Sequence, residues 1–357
     1  MSTVDLDHVT VRGGRTSRLS EVSMAIDDGA LVAVVGASGS GKTSLLRVVA
    51  GLDRIDQGAL RFDGRDVTRA TPGERDVGMV FQTPALMGHL SARRNVSFPL
   101  DVRRMATDEI RRRVDAEARA LHIEQLMHRE PATLSAGEQQ MVQIARALVR
   151  VPNVLLLDEP FASLDEQLRG RMRAEFAVLQ SGYQVTTLMA TNDSADVDAL
   201  AGAIAVLDGG RLVQFGETAV VRRSPVNLLA AVATGPLSLI EMTVVAAQQG
   251  FWLQREDRAG GEPIRIRAWS PALGDHVGTT VTVGLRPEDV EIADSGTIPA
   301  TIQSTAQFGA GGLACLVAGV HVGAAVPAGR RPAVGSSIRL RVHHHVVFDR
   351  SDDRRIG

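Results

Sequence analysis

The stretch that most limits what this chain can become is Gly36-Ala37-Ser38-Gly39-Ser40-Gly41-Lys42-Thr43, followed by Ser44. It fits the pattern G-x-x-x-x-G-K-[ST], in which glycines let the backbone turn tightly and aim its N–H groups at anionic oxygens. The apolar run Leu31-Val32-Ala33-Val34-Val35 before it predicts a buried strand, and Ser44 to Ala50 reads as the first turns of a helix. Strand, glycine loop and helix N-terminus in that order make an anion site. Lys42 is placed to reach the β- and γ-phosphates of a nucleotide, and the Thr43 hydroxyl to bind Mg²⁺. Lys42 is also the only lysine among 39 basic residues. A compact ammonium on a flexible stem fits such a cradle, whereas a planar guanidinium does not.

The length of 357 residues predicts two or three domains. A net charge of −2 gives no electrostatic case for nucleic acid as a partner. The single cysteine, Cys315, excludes an internal disulfide, and its apolar surroundings predict a small core residue. No N-terminal segment reads as a signal peptide and no apolar run is long enough to span a bilayer, so work at a membrane would require docking through partners.

Along the chain, residues 3–10 alternate polar and apolar as a strand does, and 19–26 supply another. Residues 61–64 and 77–81 predict further strands. From Thr107 to Met127 the period turns helical, with Ile110, Val114 and Leu121 on one face and Thr107 as the expected N-cap. Ser135 and Glu138 have capping-box spacing at the start of a helix whose apolar face is Met141, Ile144, Ala145 and Leu148. The run 154–157 predicts a buried strand ending in Asp158-Glu159, the end of a strand where α/β sheets bind ligands. Near Gly235-Pro236 helical signals fade and short β-like runs take over, which predicts a small barrel or sandwich to the end of the chain. His343-His344-His345 read as a strand, whose alternating faces place them poorly for joint metal chelation, and Trp252 and Trp269 as core of this β domain.

Taken together, the motifs resemble the ATPase subunit of an ABC transporter. Gln82 follows Met79-Val80-Phe81; Leu134-Ser135-Ala136-Gly137-Glu138 resembles the LSGGQ signature; residues 154–160 resemble a Walker B strand with its glutamate; Ser163-Leu164-Asp165 resembles the D-loop. Gly284-Leu285-Arg286-Pro287-Glu288-Asp289-Val290 and Val347-Phe348-Asp349 resemble the accessory β domain of ATPases that drive bacterial carbohydrate importers, a family that includes the maltose and glycerol-phosphate importers. The fold so implied is an α/β P-loop ATPase domain, residues 1–235, with a helical subdomain at about 88–150, followed by a small all-β, OB-like regulatory domain at 236–357.

The resemblance also implies roles. ATP and Mg²⁺ are the cofactors, bound by residues 36–44: Gly36, Ala37, Ser38, Gly39, Ser40, Gly41, Lys42, Thr43 and Ser44. A second ATPase subunit packs head to tail, so that Ser135 and Gly137 of one subunit face the phosphate loop of the other and Asp165 contacts the partner. Asp158, Thr43 and Gln82 hold the metal; Glu159 polarises the attacking water, with Gln82 and Asn192 as catalytic neighbours. Two transmembrane permease subunits and an extracytoplasmic solute-binding protein complete the importer, with this chain at the cytoplasmic face of the membrane. Three departures bear on rate. Asn192 stands where the family carries histidine; no aromatic stands near Gly13 to stack on adenine, where Arg12 is the one candidate to stack instead but a solvated arginine is the preferred reading; Ala136 and Glu138 replace a glycine and a glutamine. All three imply slow hydrolysis, and a catalytically weak ATP-binding scaffold is the competing reading.

Overall fold

The computed structural model describes residues 2–13, 16–256, 263–304, 312–317, 319–326 and 333–357. The chain divides into two compact units, Met1–Thr218 and Ala219–Gly357.

The first unit contains β1 (Val4–Gly13), β2 (Thr16–Ile26), β3 (Leu31–Val35), α1 (Lys42–Ala50), β4 (Gln57–Phe62), β5 (Arg65–Asp66), α2 (Pro72–Arg75), β6 (Val77–Val80), α3 (Ala92–Val102), α4 (Thr107–Ala120), α5 (Ala136–Leu148), β7 (Val154–Asp158), α6 (Glu166–Tyr183), β8 (Thr186–Ala190), α7 (Ser194–Leu200), β9 (Ala203–Asp208) and β10 (Arg211–Glu217). A six-stranded sheet runs β10-β9-β3-β8-β7-β6, parallel except for the β10 edge, beside a four-stranded antiparallel sheet, β2-β1-β4-β5. The central strands read as unbroken apolar runs because both faces are covered. Leu155 and Leu157 of β7 join the core shared with α3, α4 and α5, while Val154 and Leu156 join the core shared with α1 and the antiparallel sheet. The sheet therefore fixes the C-terminal ends of β3 and β7, which carry the phosphate loop and Asp158, against one rigid frame.

Helix α4 is shorter than its periodicity predicts, ending at Ala120, not Met127. His122 adopts a left-handed conformation (φ 53°), and the Ile123 N–H returns to the Ala118 carbonyl at 2.9 Å. This is a Schellman-type end built without the usual glycine, so no sequence signal marked it. The N-cap is Ala106 rather than Thr107, with no side-chain capping bond. The buried face of α4 also includes a carboxyl group, that of Glu117.

The second unit begins with the short helices α8 (Thr218–Arg223, its first residue closing the first unit) and α9 (Leu228–Ala233). Its strands are β11 (Ser238–Ala246), β12 (Phe251–Arg255), β13 (Ile264–Ala268), β14 (Thr280–Leu285), β15 (Val290–Ile292), β16 (Ile298–Ser304), β17 (Gly312–Val317), β18 (Val320–Ala325), β19 (Ser337–Val342) and β20 (Val346–Phe348). β15-β18-β17-β16-β19 close into a barrel, and β13-β12-β11-β14-β20 form a five-stranded sheet. The five-stranded barrel is the OB-like element. Two expectations are corrected here. Trp269 is not core but 62 % exposed, and Arg267 stacks between its ring and that of the half-buried Trp252, at 4.4 and 5.2 Å from the centroids. His343, His344 and His345 lie in the connection between β19 and β20 rather than on a strand. Among the described residues no cluster of histidine, cysteine or carboxylate has metal-site geometry. The side chain of Cys315 lies outside the described residues.

Candidate active site

The turn from β3 into α1 shows why its glycines are needed. Gly36 has φ 148°, and a Cβ there would meet the Leu207 carbonyl oxygen at 2.1 Å. Gly41 is the N-cap of α1 at φ 109° and offers no side chain, so no side chain caps that end. The first-turn N–H groups are thereby left to a ligand, and the helix dipole favours an anion there. Lys42, only 7 % exposed, folds back so that Nζ donates to the carbonyls of Gly36 (2.8 Å) and Ala37 (3.1 Å). Burial pulls its pKa down, and the charges of Glu159 and Asp158 oppose that pull. The Ser40 hydroxyl is buried without a protein partner.

At the end of β7, Asp158 accepts a hydrogen bond from Thr43 Oγ1 at 3.0 Å. Burial pushes its carboxyl up, against the Thr43 bond and the charges of Lys42 and Arg47. The next residue, Glu159, takes a left-handed backbone (φ 46°), uncommon for a residue with a Cβ. That turn directs its carboxylate between two amides. Gln82 Nε2 donates to Oε2 at 2.9 Å, and Asn192 Nδ2 donates to Oε1 at 2.6 Å. The loop bearing Asn192 is itself anchored: Thr191 Oγ1 donates to Asp196 at 2.6 Å, and the buried Arg173 pairs with Asp196 at 2.6 Å and with Asp193.

An open cleft joins these parts, walled by Ser38, Gly39, Gly41, Lys42, Thr43, Ser44, Gln82 and Glu159, and by Ser17, Arg18, Gly209 and Gly210 at its other end. Arg18 is the residue the sequence reading missed. Arg12 is exposed and does not line the cleft. It is the Arg18 side chain that occupies the space a Cβ on Gly13 would need, 2.7 Å from its Cγ, and Asp53 steadies the guanidinium at 3.0 Å. The pairing of β1 with β2 shifts register between Val11↔Leu19 and Arg12↔Ser17, leaving Arg18 as the extra residue of a bulge. Bulges redirect side chains, and a bulge is not legible in sequence.

The remaining predicted site residues lie outside this cleft. Ser135 is exposed at the N-terminus of α5, where the anticipated capping box forms: its Oγ accepts from Glu138 N (3.3 Å), and Glu138 Oε2 accepts from Ser135 N (2.7 Å). Arg129 pairs with the other Glu138 oxygen at 3.2 Å. The bond from the Ser135 N–H, above all, holds the Glu138 carboxyl below its ordinary range. Gly137 faces inward, where a Cβ would meet methyl groups of Leu168 and Leu164 at 2.8 and 2.9 Å. Asp165 caps α6 by accepting from Leu168 N at 2.9 Å and is exposed.

The donor set suits a nucleotide and its cation. The Thr43 hydroxyl, the Asp158 carboxylate and the amide oxygen of Gln82 are hard oxygen donors of the kind Mg²⁺ takes. An uncapped helix end beside a buried ammonium suits a polyphosphate. These elements define a P-loop nucleotide-binding fold. Residues 19–162 match the family described as ABC transporter. The chain is 34 % identical over 363 residues to the sn-glycerol-3-phosphate import ATP-binding protein UgpC of Chromobacterium violaceum, covering 100 % of this chain and 96 % of the relative. It is 36 % identical over 315 residues to the maltose/maltodextrin import ATP-binding protein MalK of Yersinia pestis, covering 87 % and 84 %. The dimeric ATP-binding cassette MJ0796 bound to ADP and Pi aligns with a TM-score of 0.55 at 28 % identity, over 60 % of this chain and 98 % of that one. The chain belongs to the ABC transporter family, among its import ATP-binding subunits, and is an ABC-type ATPase.

Proposed function

We propose that this chain is the motor subunit of an importer that couples ATP hydrolysis to uptake of a carbohydrate or a glycerol-phosphate-like solute. The similarity to import subunits for sn-glycerol 3-phosphate and maltose runs past the cassette and through the β unit, and this is the observation that carries the reading. In this reading the uncapped start of α1 and Lys42 hold the β- and γ-phosphates. Thr43, Asp158 and Gln82 hold Mg²⁺, which neutralises phosphate charge when bound. Glu159 orients and polarises the attacking water, so Gln82 and Asn192 must loosen their grip on its carboxylate as the site fills. Ser135, Gly137 and Asp165, which lie outside the cleft, complete in this reading the site of a second copy packed head to tail; the aligned cassette is dimeric. No helix among the described residues is long and apolar enough to cross a membrane. Two permease subunits at the cytoplasmic face and an external solute-binding protein complete the machine. The second unit serves as its accessory, regulatory domain.

The test is ATPase activity of the assembled complex with and without solute-loaded binding protein. A several-fold rise on adding it supports the motor reading. ATP binding with no turnover under either condition favours a scaffold, the reading that Asn192 would support.

A further inference from the structure

The segment that carries Gln82 is not held by its own strand alone. Gln143, in the middle of α5 and fully buried, reaches both ends of it. Its Nε2 donates to the Phe81 carbonyl at 2.8 Å, and its Oε1 accepts from the Ala85 N–H at 2.7 Å. Arg146, one turn further along α5, donates to the Ala85 carbonyl at 2.8 Å. Gln82 lies between the two gripped residues, with its own amide on Glu159. The same helix begins at Ser135. One rigid element thus joins the segment offered outward to the residue that touches Glu159.

We infer that Gln143 is a positioning residue for hydrolysis: it fixes the segment Phe81–Ala85 to α5, so that the helix and Gln82 move as one body. The inference rests on the proposed motor function. A primary amide suits the task because it offers one donor and one acceptor in a plane, matching a C=O and an N–H four residues apart. Glutamate would set lone pairs against the Phe81 carbonyl. Methionine would fill the volume and leave both backbone groups without this partner. Since Gln143 touches neither the phosphate loop nor the cleft wall, nucleotide binding should survive its loss.

The experiment compares Gln143→Met, Gln82→Ala and the double variant in the assembled complex, with Gln143→Glu as a second variant should the methionine form fail to fold. Gln143→Met is expected to lower kcat about tenfold with KM and binding of a fluorescent ATP analogue changed less than about twofold. In the Gln82→Ala background the same substitution should add nothing, because one residue acts through the other. Losses that multiply, or a fall in nucleotide affinity as large as the fall in kcat, overturn the inference in favour of a merely structural role. Hydrogen exchange supplies a readout independent of turnover. ATP should alter protection of 81–85 and of the start of α5 together in the wild type and separately in the variant. If the wild type hydrolyses nothing, the motor proposal fails, and joint or separate exchange still decides for or against Gln143.

Discussion

Two helices of the first unit begin at family motifs, and they treat their first turns in opposite ways. α1 starts at Gly41 with no side-chain cap, and its free N–H groups open onto the cleft. α5 starts with a closed capping box in which Ser135 and Glu138 satisfy each other, with Arg129 alongside. The first end is poorly satisfied alone and ready for a phosphate. The second is satisfied alone and places a carboxylate where an anion would approach. An anion site is therefore made by withholding a cap as much as by supplying charge, and of these two helices only α1 withholds it.

The largest expected effect breaks the open end at its chemistry. Glu159→Gln keeps both amide contacts possible while removing the carboxylate, so ATP binding should persist and turnover fall by about a hundredfold or more. Near-normal steady-state hydrolysis in that variant would reject Glu159 as the water-polarising group.

The contrast extends to buried carboxylates. Asp158 has Lys42 and Arg47 as compensating charges. Glu117, on the buried face of α4, has only the Tyr183 hydroxyl at 2.8 Å, and its other oxygen has no partner. Burial raises its pKa to about 7. Below about pH 4.5 folded and unfolded chains both hold this proton; from there to about pH 7 only the unfolded chain releases it. Stability should therefore fall by roughly 3 kcal/mol across that window and level off above it. Denaturation measured against pH should show this slope in the wild type and lose it in Glu117→Gln; an unchanged slope would assign it to other groups.

Lys42→Arg tests whether the open end needs a compact cation. Two carbonyls, at 2.8 and 3.1 Å, define its nest. A guanidinium overfills it, and affinity for a fluorescent ATP analogue should fall about tenfold. Equal affinity and turnover would leave the lone lysine without a function.

Asn192→His introduces a group able to give a charge-assisted bond to developing charge, and kcat should rise about tenfold with little change in KM, most at lower pH where the imidazole is protonated. A fall instead would mean that the neutral amide on Glu159 is the adapted state. The smallest effect is expected at the closed end. Glu138→Gln retains the acceptor of the box but removes its charge, and turnover should rise about two- to threefold while the melting temperature falls slightly. If turnover does not change, the Arg129 pairing has already neutralised that carboxylate.

Much of this was legible in sequence because it depends on local chemistry. Glycine at Gly36 and Gly41, the Ser135–Glu138 spacing and the apolar run into Asp158 each specify their own geometry. What escaped depends on register or on distant partners. Arg18 enters the cleft through a bulge, and Gln143 and Asn95 hold backbone from other segments: Asn95 is fully buried and binds Met87 N at 2.8 Å. Glu117 read as part of a solvated face because charge on a helix usually is. Trp269 read as core because aromatic size correlates with burial, yet it follows the last residue of β13 and stays largely exposed, with Arg267 over its ring.

The packing around Gly137 bears on which changes this chain can absorb. Ala136 points outward, and the methyl it carries in place of a family glycine meets no constraint from the interior. One residue later a methyl would push on Leu164 and Leu168 at once. Making room would cost about 1–3 kcal/mol and wedge α5 away from the start of α6. Two adjacent positions of the same motif thus differ in mutational freedom: the signature can drift at 136, whereas a change at 137 would displace the starts of α5 and α6 together.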